Sequence, residues 1–514
     1  MMGFFRLRDS VRVFTVKAEG CLEEGSTIRA LQQLVAKIEQ SKSHQRPRSS
    51  IQTSLRALAS KVCVQYPALP SIIWKSSMDD PNRVCERHSF LKFLALDTSR
   101  DQNLIADAVE SYQKKATDPD LRPIHLALRL QEVSTPKYEE IIRCLLQQNA
   151  TESMRFLLDL RRDILLWMPY LRTHPPPKEV DSQGDLLIHL KQLDTFLRRL
   201  LSTWFSPGLL EVQRITYDGT PASIIEQIVR QEAVHPVKNL DDLRTRFGPD
   251  RRVYALFHVL LPERPLVVLH TSLQPEIPAY MNQVYNEGSL RSDARVAAFY
   301  SISNLQAGLS GVGLGEHLIK TAVHRLQGRI GLDTFVTLSP VPRFRKWLEE
   351  RVQHVTGKFA SNDLVVGEDL AKLSHFLQCR EDEAVSRMVE TLRQEGPSCL
   401  DDNAVEVENL VAPLLRGTLA KLAARYLVTE THRRKPLDGV ARFHVGNGAI
   451  LHRINVNADT SRKGWHNSFG IMVNYRYDLE QLPTNVTQYE AEYRIPLGED
   501  VQALLDESLP PSFA

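Results

Sequence analysis

Phe299-Tyr300-Ser301-Ile302-Ser303 is followed six residues later by Ser310-Gly311-Val312-Gly313-Leu314-Gly315-Glu316. The first run is rich in β-branched, aromatic and hydroxyl residues, a strand signature. The second opens a helical pattern in which Leu314, Leu318, Ala322, Val323 and Leu326 recur by threes and fours. The glycines between them let backbone N–H groups face outward with no Cβ in the way. A helix N-terminus offers unpaired donors and a partial positive charge, which suits a pyrophosphate. No Gly-Lys-Ser/Thr follows, so this is not a Walker loop. No repeated βαβ array surrounds it, so it is not a Rossmann fingerprint. A glycine-rich strand-to-helix turn is structural about as often as functional, so the neighbouring segments have to decide.

Further short β-rich runs flank this one: Val253 to Leu260, Leu266 to Leu269, Val296 to Ser303 and Thr334 to Leu338. With the helical pattern between the last two, they predict an α/β or α+β domain around a central sheet. From about Arg345 to Tyr426 helical periodicity returns, with Leu370, Leu373, Phe376 and Leu377 as one stripe. It reads as a helical insertion, about 345–430. Ala441 to Tyr477 reads as β-rich again. Upstream of Trp204-Phe205-Ser206-Pro207-Gly208 the character differs. Stripes such as Ile141, Ile142, Leu145 and Leu146, or Leu186, Leu190, Leu193 and Leu197, predict a mainly helical region to about Leu200. The alternating run Ile124, Leu126, Leu128 and Leu130 fits strand or helix. Ser41 to Ser50 and Pro175-Pro176-Pro177 read as loops.

A length of 514 residues exceeds one compact core and sets a prior of two to four domains. The predicted division is a tail at 1–20, a helical domain at 21–200 and a sheet domain at 201–514. Lys+Arg number 64 and Asp+Glu 62, a net charge of +2 that argues against a nucleic-acid protein built on a basic face. No run of about 18 apolar residues is present, so no membrane-spanning helix is expected. Cys21, Cys63, Cys85, Cys144, Cys379 and Cys399 form no CxxC or CxxxC pair, which disfavours a structural zinc site and suggests reduced thiols. Arg6, Arg8, Arg12 and Lys17 among Phe4, Phe5, Val11, Val13 and Phe14 fit a mitochondrial presequence and equally a ragged tail. The ending Pro510-Pro511-Ser512-Phe513-Ala514 is no peroxisomal signal.

Three more segments carry candidate chemistry. In Phe335-Val336-Thr337-Leu338-Ser339-Pro340-Val341-Pro342 a hydroxyl sits at a strand end, and Pro340 biases Ser339 away from helical geometry. Thr337, two residues back, shares its face. In Ala441-Arg442-Phe443-His444-Val445-Gly446-Asn447-Gly448-Ala449 a histidine in a strand-like run precedes a Gly-Asn-Gly turn, where an acid–base group can stand at a pocket edge. Glu232-Ala233-Val234-His235-Pro236-Val237-Lys238-Asn239 could cap a helix or contact a ligand. Read singly, each of these is more often structural.

Together they resemble the malonyl-CoA decarboxylase family. The resemblance rests on His235 to Asn239, Pro265 to His270, Phe299 to Ser303, Gly311 to Gly315, Thr337 to Pro340, Phe443-His444 and Asn474 to Tyr477, in order, over roughly residues 150 to 480. It implies a helical N-terminal domain that favours oligomers, a dimer or tetramer, and a C-terminal domain of the GNAT acetyltransferase-like fold. In that fold a Q/RxxGxG/A loop holds the CoA pyrophosphate. Ser310, Gly311, Val312, Gly313, Leu314 and Gly315, with Glu316, take that place. Ser310 stands where the wider superfamily has Gln or Arg, and Arg343 where the family usually has Gly. The family's catalytic pair matches Ser339 and His444, with Thr337 as second-choice hydroxyl.

The activity so implied turns malonyl-CoA into acetyl-CoA and CO₂. It requires no metal or organic cofactor, because the thioester is itself the electron sink. His444 would bond the thioester oxygen and Ser339 would orient the carboxylate, with the donor of the final proton left open between them. A mitochondrial matrix or a bacterial cytoplasm both fit. Two alternatives stand beside it: an acyl-CoA-dependent acetyltransferase on the same fold, and a non-catalytic CoA-binding scaffold.

Overall fold

The computed structural model describes residues 26–43, 48–68, 86–100, 102–115, 123–173, 182–232, 234–248, 251–285, 293–353, 364–394 and 411–508. The predicted tail, the three-proline run and Cys21, Cys85 and Cys399 lie outside them. The chain divides into two compact units, Met1–Leu200 and Leu201–Ala514.

The first unit is helical. Its described elements are α1 (Ser26–Ser43), α2 (Arg48–Ala68), α3 (Glu86–Lys92), α4 (Gln102–Lys115), α5 (Pro123–Val133), α6 (Lys137–Gln148), α7 (Ala150–Thr173) and α8 (Ser182–Trp204). The stripes predicted from periodicity are its core: Ile141, Ile142 and Leu145 of α6 and Leu190, Leu193 and Leu197 of α8 are buried. Two expectations change. Ser41–Ser43 and Arg48–Ser50, read as loop, are helical. The alternating run after Pro123 is helix α5, whose Ile124 and Leu128 are exposed. Among the core apolar side chains Asp163 is buried and saturated, taking Arg87 Nη1 at 2.6 Å and Tyr66 Oη at 2.9 Å. Buried charge of this kind is tolerated only when paired and hydrogen-bonded.

The second unit is built on one eight-stranded sheet. In chain order its elements are β1 (Leu210–Ile215), α9 (Ala222–Gln231), α10 (Leu240–Arg246), β2 (Arg251–His258), β3 (Val267–Gln274), α11 (Met281–Tyr285), β4 (Val296–Asn304), α12 (Leu314–Ile330), β5 (Thr334–Thr337) and β6 (Ser339–Pro340). Then come α13 (Phe344–Gln353), α14 (Gly367–Leu377), α15 (Glu381–Gln394), α16 (Pro413–Val428), a small hairpin of β7 (Thr431–His432) and β8 (Lys435–Pro436), α17 (Gly439–Gly446), β9 (Ile450–Asn455), α18 (Arg462–Ser468), β10 (Met472–Arg476), α19 (Leu482–Glu492) and α20 (Glu499–Ser508). The sheet order is β1-β2-β3-β4-β5-β10-β6, with β9 also on β10. All pairs are antiparallel except β4 with β5, which α12 joins as a crossover. The four runs read as strands are β2 to β5; β1 was not foreseen. Ala441 to Tyr477, expected as β-rich, instead alternates α17, β9, α18 and β10.

One detail of the sheet positions the site. β4 and β5 pair only as far as Phe299 with Thr337, and Leu338 N donates to Phe299 O at 2.9 Å. Beyond that point β4 continues on β3 alone, through a bulge that skips Tyr300, while Ser339 and Pro340 pair with β10. The two neighbouring strands therefore stop pairing at Phe299 and Thr337, two residues before Ser339.

Candidate active site

The glycine turn lies where the sequence predicts it. After a 3-10 turn at Ala307–Leu309, Gly311 and Gly313 take φ of +77° and +79°, backbone that favours glycine. Gly313 is the N-cap of α12 and no side chain caps that helix, so the first N–H groups of α12 are left to a ligand or solvent. Glu316 faces back along the helix, accepting from Lys320 Nζ at 2.6 Å.

Ser339, Thr337 and His444 form one buried cluster, with Ser339 and His444 105 residues apart in sequence. Ser339 Oγ is 3.1 Å from His444 Nε2, and the Ser339 hydroxyl donates to Thr337 Oγ1 at 2.9 Å. Thr337 Oγ1 also accepts from Tyr475 N at 3.1 Å. Since the serine proton is directed at Thr337, the bond between Ser339 and His444 is donated by the imidazole Nε2–H. Nδ1 is then an acceptor, and Tyr477 Oη, 2.8 Å away, donates to it. The Tyr475 ring stacks on the imidazole at 4.6 Å and 22°. Burial alone drives His444 down to about 3, so the ring is neutral near pH 7.

The local reason for this placement is a correction to the sequence reading. His444 is on a helix, α17, not on a strand. Asp438 starts that helix, its Oδ1 accepting from Val440 N at 2.9 Å and Ala441 N at 2.8 Å. The helix lasts eight residues and presents Ala441, His444 and Val445 on its buried side, the i, i+3, i+4 face. The cap residue was the available signal. Tyr477, named only as the end of the run Asn474 to Tyr477, was given no role. It lies just past β10, where Tyr477 N donates to Phe335 O at 2.8 Å, and only that antiparallel pairing brings it to the imidazole. Arg343, which stands where the family usually has Gly, is exposed, as is Lys346 nearby.

Of the two roles open to the Glu232 to Asn239 run, the structure shows the helix cap. Asn239 caps α10 through Oδ1 to Asp242 N at 2.8 Å. Glu232, buried, collects Val234 N, His235 N, Ser301 Oγ and Ser303 Oγ between 2.8 and 3.1 Å. Those donors and His270, 3.4 Å away, hold its carboxyl below the usual range despite the burial that opposes them. Its role is to tie the loop after α9 to the bulged part of β4.

Comparison with known proteins puts this chain among the carboxy-lyases, enzymes that release a carboxylate as CO₂. The chain belongs to the malonyl-CoA decarboxylase family: residues 208–512 match the model of the malonyl-CoA decarboxylase C-terminal domain, and residues 99–205 that of the N-terminal domain. A mitochondrial malonyl-CoA decarboxylase of Anser anser anser is 34% identical over 385 residues, 74% of this chain and 71% of that protein. One of Rattus norvegicus is 34% identical over 386 residues, 73% of each. The crystal structure of malonyl-CoA decarboxylase from Rhodopseudomonas palustris superposes with a TM-score of 0.69 at 28% identity, covering 93% of this chain and 98% of that one. The structure from Agrobacterium vitis gives 0.68 at 27%, covering 93% and 99%.

Proposed function

We propose that this chain converts malonyl-CoA to acetyl-CoA and CO₂ with Ser339 and His444 as its reacting pair, on a GNAT-like sheet whose Ser310–Gly315 turn seats the CoA pyrophosphate. The observation that best supports these roles is the buried bond between Ser339 Oγ and Nε2 of a neutral histidine, close to the point where β4 and β5 stop pairing. In the reaction the bond from the α-carbon to the carboxylate carbon breaks. Its electron pair moves into the thioester, CO₂ leaves, and an enolate oxygen carries the charge. Nε2–H of His444 donates to that oxygen. A neutral, pre-oriented donor in a dry site stabilises the transition state more than the ground state, and one such donor is worth about 10²–10³-fold in turnover. The Ser339 hydroxyl turns from Thr337 to the substrate carboxylate, and the proton that completes the methyl group passes through it. Solvent replaces that proton once product has left, so each turnover takes up one.

The helical first unit serves assembly into a homo-oligomer, and the mitochondrial names of the relatives support a matrix location. The deciding experiment incubates purified chain with malonyl-CoA, with and without an amine acceptor, and follows CO₂ and acetyl-CoA. Equal amounts of both without acceptor are expected. Malonyl transfer to the amine, giving an amide and free coenzyme A with no CO₂ released, would identify an acyl-CoA-dependent transferase instead, and no turnover of either would leave a scaffold.

A further inference from the structure

Among the glycines of the turn, Gly315 stands apart. Gly311 and Gly313 need glycine for their left-handed backbone, whereas Gly315 is not among the residues with positive φ. It lies in the first turn of α12, where alanine is the better helix former. Propensity and backbone geometry therefore both favour alanine at this position. Space does not. A Cβ built on Gly315 would lie 3.1 Å from Phe443 Cζ, 3.3 Å from Phe443 Cε2 and 3.2 Å from Ile302 Cδ1. These separations require a neighbour to give by a few tenths of an ångström. Ile302 is carried by β4, in the middle of the sheet. Phe443 is carried by the eight-residue helix α17, and the next residue is His444, whose ring meets the Phe443 ring edge-on at 5.0 Å and 76°.

We infer that the bare Cα of Gly315 is a spacer for the catalytic histidine: Phe443 rests on it, and through Phe443 it sets where α17 holds His444 relative to Ser339. Gly315 and Phe443 are thus positioning residues that lock the helix seating the CoA phosphates to the helix bearing the donor to the enolate. The inference rests on the decarboxylase reading above. The added Cβ would meet the half-buried side chains of Phe443 and Ile302. What it moves is the 3.1 Å contact between Ser339 Oγ and Nε2, already near the long end for a good hydrogen bond.

The test uses the full chain carrying Gly315→Ala, Phe443→Leu, or both, with kcat on malonyl-CoA and the dissociation constant for coenzyme A measured for each. Gly315→Ala is expected to lose about 10-fold or more in kcat, the scale of a sub-ångström misplacement. Its affinity for coenzyme A should stay within about threefold of wild type, since the lost interaction is made in the transition state. Adding Phe443→Leu, which withdraws the two crowding ring atoms, should return most of the lost kcat. A helix-propensity view predicts the opposite, a more stable and equally active Gly315→Ala. Wild-type kcat in Gly315→Ala, a loss confined to coenzyme A affinity, or a double variant no better than Gly315→Ala would each overturn the inference. Should Gly315→Ala not fold, Phe443→Leu alone is read: reduced kcat with intact coenzyme A affinity is required, and unchanged kcat refutes. Failure of wild type to release CO₂ would instead refute the decarboxylase reading itself.

Discussion

Replacing Tyr477 with phenylalanine removes one oxygen atom and keeps the ring that fills the space beside Phe299. The lost hydroxyl is the donor to His444 Nδ1 at 2.8 Å. The imidazole is buried and neutral, so Nδ1 is left without a partner where water cannot readily replace it. An orphaned buried acceptor costs about 1–3 kcal/mol, which is roughly 5- to 150-fold if it all falls on the transition state. It does so to a large extent, because a donor at Nδ1 draws electron density from the ring and makes Nε2–H the stronger donor to the enolate. We therefore expect kcat to fall about 10- to 100-fold with little change in KM. Steady-state release of CO₂ at saturating malonyl-CoA measures this, with a thermal melt as control for folding. A Tyr477→Phe variant within twofold of wild type in kcat would show that the Tyr477–His444 bond does not tune the donor, and the tautomer assignment would fall with it.

Gly313→Ala places a side chain at φ +79°, a strain of roughly 1–2 kcal/mol at the head of α12. The effect should appear as a raised KM and weaker coenzyme A binding by calorimetry, with kcat nearly kept. Glu232→Ala leaves Ser301, Ser303 and two backbone N–H groups without their buried acceptor, so the urea midpoint should drop by an amount equivalent to about 3 kcal/mol. For pH, His444 is held at about 3 and His235 and His270 at about 4, all below the unfolded value near 6.5. The unfolded chain therefore binds more protons in this window. The stabilisation is complete above about pH 6.5 and is lost as pH falls toward 4, at about 1.4 kcal/mol per pH unit for each histidine. Denaturation series at pH 7.5, 6 and 5 check the sign; a midpoint that rises on acidification would contradict it.

What the sequence made legible was whatever is written in local periodicity. β2 to β5 announce themselves as apolar runs, and α12 as a glycine turn followed by leucines at helical spacing. Ser339 could be picked out because Pro340 stiffens the strand end beneath it. His444 was found as a residue but misread as to element, because a helix of eight residues between Gly439 and Gly446 is too short for its period to outweigh the strand-like Phe443-His444-Val445 run. Tyr477 and Tyr475 were not legible, since their relation to the imidazole comes from β10 laid against β5, a pairing 138 residues apart in the case of Tyr475 and Thr337. The Glu232 network was hidden for the same reason: Ser301 and Ser303 lie 69 and 71 residues from the carboxylate they satisfy.

The most direct test of the account is the turnover of His444→Ala on malonyl-CoA, measured together with its affinity for coenzyme A. Loss of the donor to the enolate should lower kcat by roughly 10²–10⁴-fold, with coenzyme A bound about as tightly as by wild type. A kcat within tenfold of wild type would contradict the assignment of the reacting pair.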